Sequence, residues 1–166
     1  MSYYFEVYKC EIGRIIIEAD DIGITALRVY TQDRQASLER AMYALPAPNE
    51  ATSSARAWLD MYFAQEIPNF LPPLHMIGSP FQIEVWNLMI EIPYGKTATY
   101  GDIARAIASR RGIPKMSAQA VGGAAKRNAI PIIIPCHRVV AAGGAPGGYG
   151  LGLDLKFRLL EIENRE

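Results

Sequence analysis

Few residues in this chain can do chemistry. Cys136 follows Pro135 at the end of the apolar run Ile130-Pro131-Ile132-Ile133-Ile134-Pro135, and His137 and Arg138 come directly after it. A thiol attacks as thiolate, so it needs a base or a positive neighbour, and these two residues are of the right types. Adjacent side chains in an extended segment point to opposite sides, so a direct Cys136–His137 hydrogen bond does not follow from adjacency. A buried, inert cysteine beside an incidental histidine is the competing reading. Metal chemistry has little to draw on. Cys10, His75, Cys136 and His137 are the only thiol and imidazole side chains, and no CxxC or HxxxH pair occurs, so no metal site is expected. The pairs Gly143-Gly144 and Gly147-Gly148 lack the setting of a nucleotide-binding loop and read as loop punctuation.

The elements that must position these residues fall into two groups. Tyr3 to Lys9, Arg14 to Glu18 and Ile24 to Tyr30 are rich in Tyr, Val and Ile, and Gly13 and Asp21-Ile22-Gly23 punctuate them; they predict three strands. The stretch Gln32 to Glu50 predicts no clear element. Thr52 or Ser53 is placed to cap a helix running through Trp58, Met61, Tyr62 and Phe63 to about Glu66. The prolines at 68, 72, 73 and 80 then predict an extended connector and a domain boundary near residue 78.

Beyond it, Ser79 and Pro80 start a helix with Phe81, Val85, Trp86, Leu88, Met89 and Ile92 on one face, stopped by Pro93-Tyr94-Gly95. Further helices are expected after Thr99 (Ile103, Ala104, Ile107) and from Ser117 (Ala118, Val121, Ala124, Ala125). Two short helices joined by a turn suit a helix-turn-helix unit. The second consists of small residues ending in Lys126 and Arg127, which suits close approach to a nucleic-acid groove or to another helix. The run 130–135 predicts a buried extended segment that cannot be a central strand, residues 143–152 a loop, and Leu153 to about Glu163 a closing helix with Leu155, Leu159, Leu160 and Ile162 inward. The fold class expected is α/β in the α+β sense. A small antiparallel sheet plus helix (1–78) precedes a mostly helical domain (79–166) with a winged helix-turn-helix-like unit.

Charge separates along the same line. Residues 1–78 hold 6 Lys+Arg against 10 Asp+Glu, and the remainder 11 against 7. Eight basic residues (Lys96, Arg105, Arg110, Arg111, Lys115, Lys126, Arg127, Arg138) face only Asp102 between positions 96 and 138. Such a block suggests a polyanion partner, with a solvated basic face as the alternative. No apolar run approaches the roughly 20 residues of a membrane span, and the N-terminus lacks a signal layout. A cytoplasmic protein with free thiols is expected, with no membrane partner.

Around Cys136, the segment Ile134-Pro135-Cys136-His137-Arg138-Val139-Val140 resembles the O6-alkylguanine-DNA alkyltransferases. The likeness takes in Phe81-Gln82, Val85-Trp86, Ile92-Pro93-Tyr94-Gly95-Lys96-Thr97, Tyr100-Gly101-Asp102-Ile103-Ala104, Ala120-Val121-Gly122-Gly123-Ala124 and Arg127-Asn128. It continues through Gly148-Tyr149 and Lys156 to Leu159-Leu160-Glu161-Ile162-Glu163. The N-terminal part matches in layout only.

The resemblance implies DNA repair by direct reversal: one irreversible transfer of the alkyl group from flipped-out O6-alkylguanine to Cys136. It implies His137 as base through a water, Glu163 as its orienter, Tyr100 as proton donor to guanine and Asn128 as support for the thiol. Val139, with the Cys136 backbone, would read the guanine amino group, the Gly150 N–H would face O6, and Tyr149 and Pro131 would wall the pocket. Thr99, Ala118, Gln119, Ala120, Gly122, Gly123, Lys126, Arg127 and Arg138 would meet DNA. Gln119 stands where most familiar members insert an Arg into the vacated stack. The turn expected at Ser109 to Met116, with Arg110, Arg111 and Lys115, would add phosphate contacts or be a solvated loop. A monomer without cofactor is implied, acting on double-stranded DNA, with O4-alkylthymine as a second candidate lesion. The zinc site of some members is not carried over. Two other classes compete: a non-catalytic lesion-binding or regulatory protein on the same scaffold, and a cysteine hydrolase. Retention of Cys136 weighs against the first, and the basic helix-turn-helix against the second.

Overall fold

Why the segments between Tyr3 and Tyr30 form a sheet is visible in their side chains. The computed structural model describes residues 1–31 and 47–165, so the polar stretch from Gln32 lies outside the described residues as far as position 46. Chain contacts divide it into two compact units, Met1–Met76 and Ile77–Glu166. In the first, β1 (Tyr3–Cys10), β2 (Gly13–Asp20) and β3 (Ile24–Tyr30) pair antiparallel in the order β1-β2-β3. The central strand is buried on both faces, through Ile15, Ile17 and Ala19 on one side and Ile16 on the other.

Helix α1 (Glu50–Phe63) lies against this sheet, held to β1 by Tyr8 Oη, which donates to Asp60 at 2.8 Å. Its cap is Asn49, not the expected Thr52 or Ser53. Asn49 Oδ1 accepts from the Thr52 backbone N–H at 3.0 Å, and Thr52 Oγ1 accepts from the Asn49 N–H at 2.9 Å. Thr52 thus closes a capping box from inside the helix. The helix also stops at Phe63, short of Glu66. Within the proline connector, the stretch 73–75 adds an edge to the sheet: Ile24 N–H donates to Pro73 O and His75 N–H to Ile24 O, both at 2.8 Å.

The second unit is built from capped helices. Ser79, Thr99 and Ser117 cap α2 (Pro80–Ile90), α3 (Tyr100–Arg111) and α4 (Ala118–Lys126), each through its hydroxyl. Trp86 on α2 donates its indole N–H to Ala124 O at 2.9 Å, fixing α4 on the core. Gly112 ends α3 in a left-handed conformation (φ 64°). The link to α4 is therefore shorter than expected, because Ser109, Arg110 and Arg111 are helical. Strands β4 (Ala98–Thr99) and β5 (Val139–Val140) pair in parallel. That pairing sets the start of α3 beside the segment that follows Cys136. Helix α5 (Leu153–Glu163) closes the unit with Leu155, Leu159 and Ile162 buried; Leu160 is half-buried.

Residues 130–135 are buried but not extended. Ile133 N–H donates to Pro131 O (2.9 Å), Ile134 N–H to Ile130 O (3.0 Å), and Ile132 holds φ 73°. With no N–H at Pro131 or Pro135 the segment cannot enter a ladder, so it satisfies its polar groups by turning on itself. A β-branched residue at positive φ is held at a cost of about 1–3 kcal/mol by its surroundings.

Among the described residues, no helix is long and apolar enough to cross a membrane.

Candidate active site and groove

The turn ends at the thiol. Cys136–Arg138 form one 3-10 turn in which all three side chains are buried, so the opposite-sides geometry of an extended segment does not apply. Asn128 supports this turn. Its amide N–H donates to Ile134 O at 2.9 Å and to Cys136 Sγ at 3.3 Å, while Oδ1 accepts from Ile130 N–H at 2.9 Å. The Tyr149 hydroxyl is buried against the same sulfur. Burial raises the Cys136 thiol above its ordinary value, opposed by the Asn128 hydrogen bond, the nearby Tyr149 hydroxyl and the Lys156 charge. The resting group is therefore a thiol that needs a base.

His137 is fully buried, and its Nε2 lies 2.5 Å from Glu163 Oε1. Burial lowers the imidazole below its ordinary value, against the pull of the Glu163 carboxylate. Burial would raise Glu163, but hydrogen bonds from His137 and Arg138, and the Arg138 charge, hold it at about 2. A neutral histidine therefore faces an ionised carboxylate. With Nε2–H directed at Glu163, Nδ1 is the basic nitrogen.

Arg138 departs from expectation. It does not lie on a DNA-facing surface: it is 6% exposed, with Nε donating to Glu163 Oε2 and Nη2 to Oε1, each at 3.0 Å, and Nη1 to Ile92 O at 2.7 Å. A guanidinium fork fits a carboxylate so well that burial beside Glu163 replaces solvent. Gly95 N–H adds a further bond to Glu163 at 3.2 Å.

Tyr100 sits at the N-terminus of α3, near enough to Cys136 for the thiolate to act on it, and its hydroxyl donates to Gly148 O at 3.2 Å. Gly147 (φ 67°) makes that seat possible. A Cβ there would lie 2.9 Å from the Tyr100 ring.

Tyr100 also lines a groove of about 800 Å³ shared by Thr99, Ala118, Gln119, Gly122, Gly123 and Lys126 with residues 141–143 and Gly148. Six of the expected DNA-facing residues are thereby brought together next to the expected proton donor. Ala120 and Arg127 are exposed but do not line the groove. Arg110 and Arg111 pair with Glu91 (3.2 Å) and Glu84, so part of the basic block is already neutralised within the protein. Val139 and Pro131 are buried, and Gly150 is exposed.

Residues 80–165 match the family described as 6-O-methylguanine DNA methyltransferase, DNA binding domain, and residues 3–75 its ribonuclease-like domain. The chain belongs to the 6-O-methylguanine DNA methyltransferase family. A methylated-DNA–protein-cysteine methyltransferase of Methanosarcina acetivorans is 39% identical over 96% of this chain and 97% of its own. One from Mycobacterium leprae is 41% identical over 93% and 88%. In structure the chain is similar to Mycobacterium tuberculosis OGT in complex with DNA, with a TM-score of 0.76 and 36% identity over 96% of this chain and 92% of that one.

Within this family member two buried cations are not signalled by the residue pattern: the basic block groups Arg138 with surface charges, and nothing in that block marks Lys156. Lys156 is fully buried on α5. A charge among Leu155, Leu159 and Ile162 on an apolar face was the signal available for it.

Asn128→Ala is expected to leave the Ile130 N–H without its partner and to take one of two donors from Ile134 O, which keeps the Cys136 N–H. The expected cost is about 1–3 kcal/mol of stability, read as a lower Tm in thermal melting, with slower alkyl transfer in the folded fraction. An unchanged Tm would contradict the support role.

Proposed function

We propose that this chain repairs O6-alkylguanine in DNA by moving the alkyl group to its own Cys136, once per molecule. The observation that carries the reading is the buried Cys136 turn with His137 set against ionised Glu163, beside a groove edged by the small residues of α4. The relatives' activity and the DNA-bound relative support it.

In the proposed step the Cys136 proton passes to His137 through a water. The thiolate then displaces guanine in line at the alkyl carbon: the S–C bond forms, the C–O6 bond breaks, and its electron pair goes to the base. Tyr100 supplies the proton that makes guanine a neutral leaving group. The nucleotide must leave the stack to reach a thiol only 9% exposed. The carbonyls of Cys136 and Val139, the Gly150 N–H, and the walls at Tyr149 and Pro131 are proposed to hold the base. The second unit is proposed as the DNA-binding and acceptor domain, with Thr99, Ala118, Gln119, Gly122, Gly123 and Lys126 at the interface.

The test uses duplex DNA with a labelled O6-methyl group. Label should pass to protein and plateau at one per chain. Tight binding without transfer would sink the reading in favour of a lesion-binding protein.

Gln119 is exposed in the first turn of α4, on the groove. Gln119→Arg is expected to tighten duplex binding and to steepen its salt dependence by about one unit of log K against log salt. A salt slope identical to that of the parent chain would remove Gln119 from the interface.

A further inference from the structure

The segment Ile92-Pro93-Tyr94-Gly95, which the proposed step leaves without a role, forms a seat for the pair Arg138–Glu163. Ile92 O accepts from Arg138 Nη1 at 2.7 Å, and the guanidinium lies over the Tyr94 ring, 5.7 Å from its centre. The Gly95 N–H donates to Glu163 Oε2 at 3.2 Å.

One oxygen joins this seat to the base. Glu163 Oε1 lies 2.5 Å from His137 Nε2 and accepts from Arg138 Nη2 at 3.0 Å and from Nε at 3.1 Å. None of the three residues is more than 6% exposed, so little of the charge is screened. A buried carboxylate that faces an imidazole alone favours the imidazolium, because the pair is then neutral. Here the guanidinium already neutralises the carboxylate. A second cation on the same oxygen would leave a net positive charge out of water, which is costly. The other groups around His137 do not reverse that sign. Lys156 on α5 is one more cation, and burial keeps Cys136, Tyr94 and Tyr149 protonated.

We propose that Arg138 is a positioning residue for the alkyl transfer: by sharing the Glu163 carboxylate it keeps His137 a neutral imidazole, with Nε2–H on Glu163 and Nδ1 able to take the Cys136 proton. The charges balance through the step. When the proton reaches Nδ1 the sulfur becomes negative and the ring positive, while the Arg138–Glu163 pair stays neutral. The inference rests on Cys136 and His137 acting as proposed, and its test reads the imidazole in the protein without DNA.

The experiment follows the ring nitrogen signals of His137 by NMR against pH in the full chain, in Arg138→Met and in Arg138→Lys. Met fills space and removes the charge, whereas Lys keeps the charge and loses the fork. The parent should titrate below 6.5, the ordinary histidine value, and show the neutral Nε2–H form near neutral pH. Arg138→Met should raise the midpoint by about one unit, which is about ten-fold more imidazolium at a given higher pH. Arg138→Lys should return about half of that shift or more. In methyl transfer, the acid limb of the rate of Arg138→Met should move to higher pH with the midpoint. An unmoved midpoint in folded Arg138→Met would overturn the proposal, because a fork that serves packing alone does not set it. A rise that Arg138→Lys leaves undiminished would overturn it too. If Arg138→Met does not fold, Arg138→Gln, which keeps an amide donor for Glu163, is read for the same rise. If neither folds, the parent decides: a midpoint below 6.5 supports the shared carboxylate, and one above it overturns the proposal. Failure of the parent chain to accept a methyl group would instead strike the proposed function and leave the titration result standing.

Discussion

Cys136→Ala should abolish alkyl transfer, by at least about a thousand-fold, while leaving the affinity for duplex DNA near that of the parent chain. The loss is large because Cys136 is the nucleophile of the proposed step, held in its turn by Asn128 beside His137 and Glu163. The groove residues Gln119, Gly122, Gly123 and Lys126 make no bond to the sulfur, so binding should survive. The fold should survive as well. What is lost is one weak bond, from Asn128 to Sγ at 3.3 Å, while Asn128 keeps its two backbone partners. Label transfer and gel-shift titration on the same preparation check both halves. Residual transfer at a tenth of the parent rate would move the acceptor elsewhere.

Glu163→Gln is expected to damage both stability and chemistry. Glu163 accepts from His137, Arg138 and the Gly95 N–H in a site closed to solvent. Removing its charge leaves the Arg138 guanidinium buried and uncompensated, which costs about 3–5 kcal/mol when one partner of such a pair is lost. The histidine also loses the carboxylate that fixes its tautomer, and orientation of a base of this kind contributes about a hundred-fold or more to rate. Denaturant unfolding and single-turnover transfer at a temperature where the variant is folded separate the two effects. A variant as stable as the parent would refute the buried pair.

The same pair predicts acid sensitivity. The folded state holds Glu163 at about 2, below its ordinary 4.5, so the unfolded chain binds the proton first. This contribution is complete above about pH 4.5 and is lost as pH falls toward 2. His137 acts in the same direction. Its folded value lies below 6.5, so stability already starts to fall as pH drops below about 6.5. Unfolding free energy followed from pH 7 to 4 should decline, and Glu163→Gln should flatten the lower part of that decline.

Much of this was legible in residue types. Ser79, Thr99 and Ser117 marked three helix starts because a capping hydroxyl acts within three residues of itself. At Asn49 the same local logic misled. Thr52 is an equally good cap by type and serves in the box from the third helical position. The prolines of segment 130–135 predict an extended run, but the turn depends on Ile132 adopting φ 73°, which no propensity favours. The burial of Arg138 and Lys156 is not legible in the sequence for a common reason. A cation is assigned to the surface unless its partner is known, and Glu163 lies 25 residues away in the chain from Arg138. The Lys156 partners are carbonyls, which leave no mark in a sequence.

The central claim is that Cys136 itself ends up carrying the alkyl group. Its most direct test is the mass of the protein and of its peptides after incubation with excess duplex containing O6-methylguanine. The account predicts a gain of one methyl group per chain, located on the peptide holding Cys136, with unmodified guanine left in the DNA. A methyl group found on Cys10, or guanine restored while the protein mass stays unchanged, would contradict it.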